Sequence, residues 1–227
     1  MPLHLYCIVP AAHPVPEGCT GIDTQRPFAL EAGGGLAVWA SEHDAPVTAS
    51  VDAVRIHNDV VTAAMDRRVT PVPLRFGQSA PDRTAAIERV TGDAAKWLDL
   101  LARFAGRAEY GVRAMRDVYV TEQDVRAASA QSGTEYMAAL ASKQARVAER
   151  RSEGKRIVGE TEARLGPLAV DTRVEYPPTG RVVATIAHLV AWTDADMYHD
   201  AARELRDALQ DAVLVVTGPW PPYSFVE

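Results

Sequence analysis

The sequence predicts an α+β protein of two domains. Short apolar strands and amphipathic helices interleave along the chain. The second half runs in the order strand, helix, strand, strand, helix, strand. The 227 residues are 47% apolar and 24% charged, an ordinary globular composition. The expected boundaries are an N-terminal α+β domain over residues 1–105, a hairpin sheet plus helices, and a ferredoxin-like C-terminal domain over residues 106–227. The latter ends in an ordered Pro- and aromatic-rich tail, 218–227.

Leu3 to Val9 is an apolar run stopped by Pro10, which reads as the first strand. Pro and Gly residues between His13 and Gly21 read as a loop. Phe28–Glu31 and Leu36–Trp39 flank Gly33-Gly34-Gly35 and form a hairpin. A helix follows over Val51–Met65. It carries two apolar stripes, Val51/Val54/Asn58/Val61/Met65 and Ile56/Val60/Ala64, so it is expected to be covered on two sides, by the sheet and by the second domain. Val69–Phe76 reads as an edge strand because Pro71 and Pro73 interrupt it. One long helix is expected from Pro81-Asp82 to Ala105. Its buried face is Ile87, Val90, Ala94, Leu98 and Leu101, with Trp97 at the margin.

In the second half, strands are expected over Glu109–Val120, Leu168–Tyr176, Arg181–Trp192 and Ala212–Thr217. Helices are expected over Gly133–Leu165, weakened by Gly154 and Gly159, and over Asp194–Gln210.

Charge excludes some functions. Residues 1–105 carry 9 Lys/Arg against 12 Asp/Glu, and residues 106–227 carry 15 against 18, so each half is −3 and the chain −6. That even, mildly acidic balance offers no footprint for nucleic acid or anionic lipid. Two cysteines, Cys7 and Cys19, make no disulfide framework and fit a reducing compartment. The start has no secretory pattern, and no stretch is long and apolar enough to span a membrane. A cytoplasmic protein is expected.

Each candidate for chemistry has a plainer reading. The triple glycine lacks phosphate-loop spacing and precedes a strand, so it is a turn. His4, Cys7, His13 and Cys19 match no zinc spacing, and prolines interrupt them. His57 is a possible general base but no nucleophile motif accompanies it; a hydrogen-bonded histidine at a packed helix surface is preferred. For a small-molecule enzyme, His57, Arg75 and Glu109 would be the polar candidates. Lys143, Arg146, Arg150, Arg151, Lys155 and Arg156 form a basic stretch, read as a solvated helix face over a patch for an acidic partner. Arg75, between Leu74 and Phe76 at a strand end, is expected to be structural and paired with a carboxylate. No catalytic residue, cofactor or metal is expected.

The C-terminal segment Gly218-Pro219-Trp220-Pro221-Pro222-Tyr223-Ser224-Phe225-Val226 is the most unusual feature. Its prolines stiffen the backbone, so ordering it costs little entropy. Its apolar side chains must dock on the chain itself or on a partner.

That ending resembles the end of the gas vesicle protein F/L family. Leu5-Tyr6-Cys7-Ile8-Val9-Pro10-Ala11, Gly21-Ile22-Asp23, His57-Asn58 with Val60-Val61, Pro73-Leu74-Arg75-Phe76-Gly77 and Gly106–Val112 resemble further pieces of the family in the same order. Thr24 departs from it, since a Gly after the Asp is common there. The resemblance implies two α+β domains and a non-enzymatic role in gas vesicle formation. The chain would be a minor structural component or assembly factor that contacts the small, hydrophobic main shell protein and other gas vesicle accessory proteins. A cytosolic chaperone of the shell protein, not retained in the vesicle, is the alternative. Trp220, Tyr223, Phe225 and Arg75 are the expected partner-binding residues.

Overall fold

The computed structural model describes residues 1–66, 69–120 and 133–226; Glu227, the last residue of the expected tail, lies outside them. The chain forms two compact units, Met1–Glu109 with Pro219–Glu227, and Tyr110–Gly218. Placing the tail with the C-terminal half is therefore corrected: from Pro219 onward it belongs to unit 1. The reason is packing, because Phe225 is fully buried and Tyr223 lies against the unit 1 core.

In unit 1, β1 (Leu3–Pro10) pairs antiparallel with β3 (Leu36–Glu42), which pairs with β2 (Phe28–Gly33). On its other side β1 pairs with β4 (Val72–Pro73) and β5 (Ser79–Ala80). Leu3–Val9 is buried at every residue, as a central strand covered on both faces must be. The expected hairpin is present, and Gly33, Gly34 and Gly35 all take positive φ, which only glycine adopts at no cost. The expected Val69–Phe76 strand shrinks to Val72–Pro73, since Pro71 before it and Pro73 within it each lack a ladder donor.

Helix α1 (Val51–Ala63) is capped by Ser50, whose hydroxyl accepts from Ala53 N. It buries Ala53, His57, Val60, Val61 and Ala64, one stripe at helical spacing, while Val51 and Val54 are exposed. The two-stripe expectation is thus corrected to one stripe, with the polar His57 inside it. The single long helix is two: α2 (Arg83–Gly92), capped by Asp82, and α3 (Ala94–Phe104), separated where Asp93 leaves helical geometry (φ −111°, ψ 22°). Their buried residues are Ala86, Val90, Trp97, Leu100 and Phe104. The large aromatics take the inner face and Leu98 is left exposed.

In unit 2 the elements are β6 (Arg107–Val120, its first residues within unit 1), α4 (Gly133–Leu165), β7 (Ala169–Glu175), β8 (Gly180–Ala191), α5 (Ala195–Ala208) and β9 (Val213–Trp220). The sheet order is β7-β8-β6-β9. Helix α4 runs unbroken through Gly154 and Gly159. Gly154 is a close-approach site: a Cβ there would lie 2.7 Å from the Val183 carbonyl of β8. The solvated-face reading of the basic stretch fails at Arg150, which is buried. Its Nη1 donates to Gly180 O (2.6 Å), and Nη2 to Thr179 O (3.0 Å), Pro177 O (3.2 Å) and Val182 O. One guanidinium thus fastens the β7–β8 turn to α4. Arg156 is ion-paired with Glu153, Glu160 and Asp211.

Candidate interaction site

The tail follows Gly218, whose φ of 127° is open to glycine alone, and ends in a 3-10 turn, Tyr223–Phe225. Pro221, Pro222 and Phe225 are buried. Two hydrogen-bonded contacts fix the turn. The Tyr223 hydroxyl donates to Asn58 Oδ1 on α1 (2.8 Å). Ser224 donates twice to Glu109, from its amide to Oε2 (2.9 Å) and from its hydroxyl to Oε1 (2.8 Å). Burial pushes the Glu109 carboxyl up from the usual range, and the two Ser224 bonds partly offset it. Burial also raises the Tyr223 phenol, with Cys7 adding to it. Trp220, at the end of β9, remains 46% exposed.

The four expected contact residues therefore separate. Phe225 is core, Tyr223 is half-buried on α1, and Trp220 and Arg75 are exposed. Arg75 is not buried, so the physical argument that burial forces a carboxylate partner on it does not apply.

A second polar cluster lies under α1. His57 Nε2 donates to the Leu74 carbonyl (2.9 Å), and His57 Nδ1 lies 2.9 Å from His4 Nε2. A carbonyl only accepts, so the neutral His57 carries its proton on Nε2 and takes a hydrogen bond from His4 at Nδ1. Beside them runs a chain from Tyr6 to Ser41 (2.8 Å) to His43 Nε2 (2.8 Å), with His43 Nδ1 3.3 Å from Asp23 Oδ2. The Ser41–His43–Asp23 order is that of a hydrolytic triad, but Ser41 is fully buried and held by Tyr6. Its use is to tie the Ile22–Thr24 turn and the end of β3 to the sheet.

These contacts also occupy the enzyme and metal candidates. Both nitrogens of His57 and both oxygens of Glu109 are engaged inside the fold. His13 Nε2 bonds to the Ala64 carbonyl, with its ring stacked on Trp39. Cys7 is fully buried. Among the described residues no group of three or more His, Cys, Asp or Glu is arranged to hold a metal ion. Sequence reasoning missed His4, His43 and Ser41 as partners, and Glu109 as the tail's anchor. Alternation along β1 would have aligned His4 with Tyr6, but a separation of 115 positions between Glu109 and Ser224 leaves no local signal.

A family model described as "Gas vesicle synthesis protein GvpL/GvpF" matches residues 2–227. The chain belongs to the GvpL/GvpF family. It is 29% identical to gas vesicle protein F of a Streptomyces species over the full length of both chains. It is 25% identical to gas vesicle protein L1 of Halobacterium salinarum, covering 98% of this chain and 89% of that protein. The crystal structure of GvpF from Anabaena superposes with a TM-score of 0.80 at 22% identity, covering 100% of this chain and 96% of that one. GvpF from Microcystis aeruginosa gives 0.76 at 20% identity, covering 100% and 99%. These two structures support the fold, a mixed α/β architecture with two sheets. Membership in the family gives the chain a gas-vesicle-related role. No helix among the described residues is long and apolar enough to cross a membrane.

Proposed function

We propose that this GvpL/GvpF protein is a non-enzymatic gas vesicle component or assembly factor that binds the main, hydrophobic shell protein through the surface around its C-terminal tail. The observation that carries this reading is the division of labour within the tail. Pro221, Pro222 and Phe225 are buried in the fold, and they hold Trp220 in an exposed position on a backbone with little freedom left to lose. An exposed tryptophan on a pre-formed segment is the residue type that most often anchors an apolar interface. The engagement of His57 and Glu109 inside the fold supports the non-enzymatic part. We also read unit 2 as ferredoxin-like, because the sheet order β7-β8-β6-β9 is what two interleaved β-α-β units produce.

The test is binding of solubilised shell protein to the immobilised chain. Trp220→Ala is expected to weaken it by about tenfold or more, as loss of an interface anchor does, with the melting temperature nearly unchanged. Equal binding by the variant overturns the assignment of Trp220. Absence of binding by the unmodified chain overturns the shell protein as partner.

A further inference from the structure

We propose that unit 1 contains an acid-opened seam: the buried His4–His57 pair joins β1 to α1, and proton uptake there parts the helix from the sheet and releases the tail docked on that helix. The geometry carries this. His4 and His57 are 2% and 1% exposed, and their rings lie 5.1 Å apart at 90°. The pair is held by one bond from His4 Nε2–H to His57 Nδ1. A proton added to His57 Nδ1 turns the accepting nitrogen into a donor, so the 2.9 Å contact survives only if His4 moves its own proton from Nε2 to Nδ1. A proton on His4 instead places a charge among Tyr6, His43, His57 and Phe76.

Among the described residues, the groups in ring contact or hydrogen-bonded with the pair carry no negative charge. From β1 comes Tyr6, from the Leu74–Gly77 segment the Leu74 carbonyl and the Phe76 ring, and from the end of β3 His43. Asp23 pairs with His43, 3.3 Å away, and acts on Tyr6 through its charge. Among the described residues no carboxylate hydrogen-bonds to His4 or His57. Burial, then repulsion from His57 and His43, accordingly holds the His4 imidazole down to about 3, and burial lowers His57 against the opposing effect of the Leu74 bond.

The tail is coupled through α1. Asn58, next to His57, accepts from Tyr223, and Tyr223 packs on the cluster of Tyr6, Cys7, Val60, Val61 and Ala64. Glu109, the tail's other anchor, works in the opposite sense. Its folded carboxyl is raised, so acid favours its folded form. Acid release of the tail therefore cannot originate at Glu109.

The experiment is hydrogen–deuterium exchange of the full chain between pH 7 and 4.5, corrected for intrinsic exchange and read on peptides covering 52–64, 195–208 and 219–226. Protection of 52–64 and 219–226 is expected to fall together, by up to about tenfold per pH unit for each imidazole that takes up a proton, while 195–208 holds. His4→Gln/His57→Gln, which keeps donors but cannot titrate, is expected to flatten the response. Retained protection at pH 4.5 in the unmodified chain, or an unchanged response in the double variant, overturns the proposal. If the double variant does not fold, histidine C2-proton NMR of the unmodified chain decides. Two imidazoles that stay neutral until opening begins support the seam; two that titrate near 6.5 without opening overturn it.

Discussion

In unit 1 the buried rings of His4 and His57 face each other and are joined by one hydrogen bond. In unit 2 the buried ring of His188 sits between Glu162 Oε1 and the Tyr198 hydroxyl, each 2.7 Å away. The guanidinium of Arg150, also buried, is met by four carbonyls. Unit 2 thus gives the buried His188 and Arg150 oxygen partners on several sides, whereas in unit 1 the buried His4 lies among imidazoles and aromatic rings, and His57 has one carbonyl, that of Leu74. Burying a charge is costly only where nothing compensates it. A buried imidazole therefore has different surroundings in the two units: His188 has an oxygen partner at each ring nitrogen, whereas His4 faces a second imidazole.

The largest effect should come from emptying the acceptor-lined site. Arg150→Met keeps most of the side-chain volume but leaves the carbonyls of Pro177, Thr179, Gly180 and Val182 without their donor. Orphaned buried acceptors cost about 1–3 kcal/mol each, less where water reaches them, so a loss of about 3 kcal/mol is expected. It should fall on the β7–β8 hairpin. Exchange of residues 169–191 measures it, and a loss spread equally over α1 would break the comparison.

Acid should act on unit 1 with nearly comparable size. The folded His4 imidazole is lowered to about 3 from 6.5. Its neutral form therefore stabilises the fold fully above pH 6.5, and that contribution is lost as pH falls from 6.5 towards 3. At pH 4.5, two units below the unfolded value, the loss is about 2.7 kcal/mol. His57, lowered as well, adds in the same direction. Denaturant unfolding of unit 1 at pH 7 and 4.5 checks the sign and the size.

The sequence disclosed some of this and hid the rest for physical reasons. The triple-glycine turn, the first strand and the strand–helix order of the second half were legible because local period and turn chemistry determine them. Membership in the family was legible in the tail. The break at Asp93, the buried side of α3 and the placement of Arg150 were not. They depend on which of several similar stripes meets bulk elsewhere in the fold, and no periodicity records that. His57 misled the reading of α1 because a polar residue was not counted in the buried stripe. Gly154 looked like a weakness in a helix, whereas it is where β8 passes too close for any side chain. The separation of Trp220 from Phe225 was half legible: alternating prolines and aromatics announced docking but not which ring turns inward.

A smaller change tests the acceptor-lined histidine. Glu162→Gln keeps an acceptor for His188 Nε2 and removes only the charge. About 1 kcal/mol should be lost at neutral pH, the net worth of one hydrogen bond to a charged group less what the amide restores. A loss as large as that of Arg150→Met would mean that the carboxylate, and not the acceptor geometry, holds the site together. Thermal unfolding followed by near-ultraviolet circular dichroism, with Tyr110 and Tyr198 in contact nearby, reads the difference.

The smallest effect belongs to the tail's bond on α1. Tyr223→Phe removes the hydroxyl that donates to Asn58 and leaves the ring in its place. Asn58 is exposed, so its freed oxygen is taken by water and no buried acceptor is orphaned. About 0.5 kcal/mol should be lost, at the low end for one hydrogen bond. The two Ser224–Glu109 bonds and the buried Phe225 remain. The informative quantity is the pH response, because the deleted hydroxyl does not titrate in the acid range. If the His4–His57 pair governs opening, Tyr223→Phe should shift the whole stability curve down slightly and leave its slope between pH 7 and 4.5 unchanged. A flattened slope would place the acid sensitivity in the tail's own attachment, and the contrast between the two units would lose its basis.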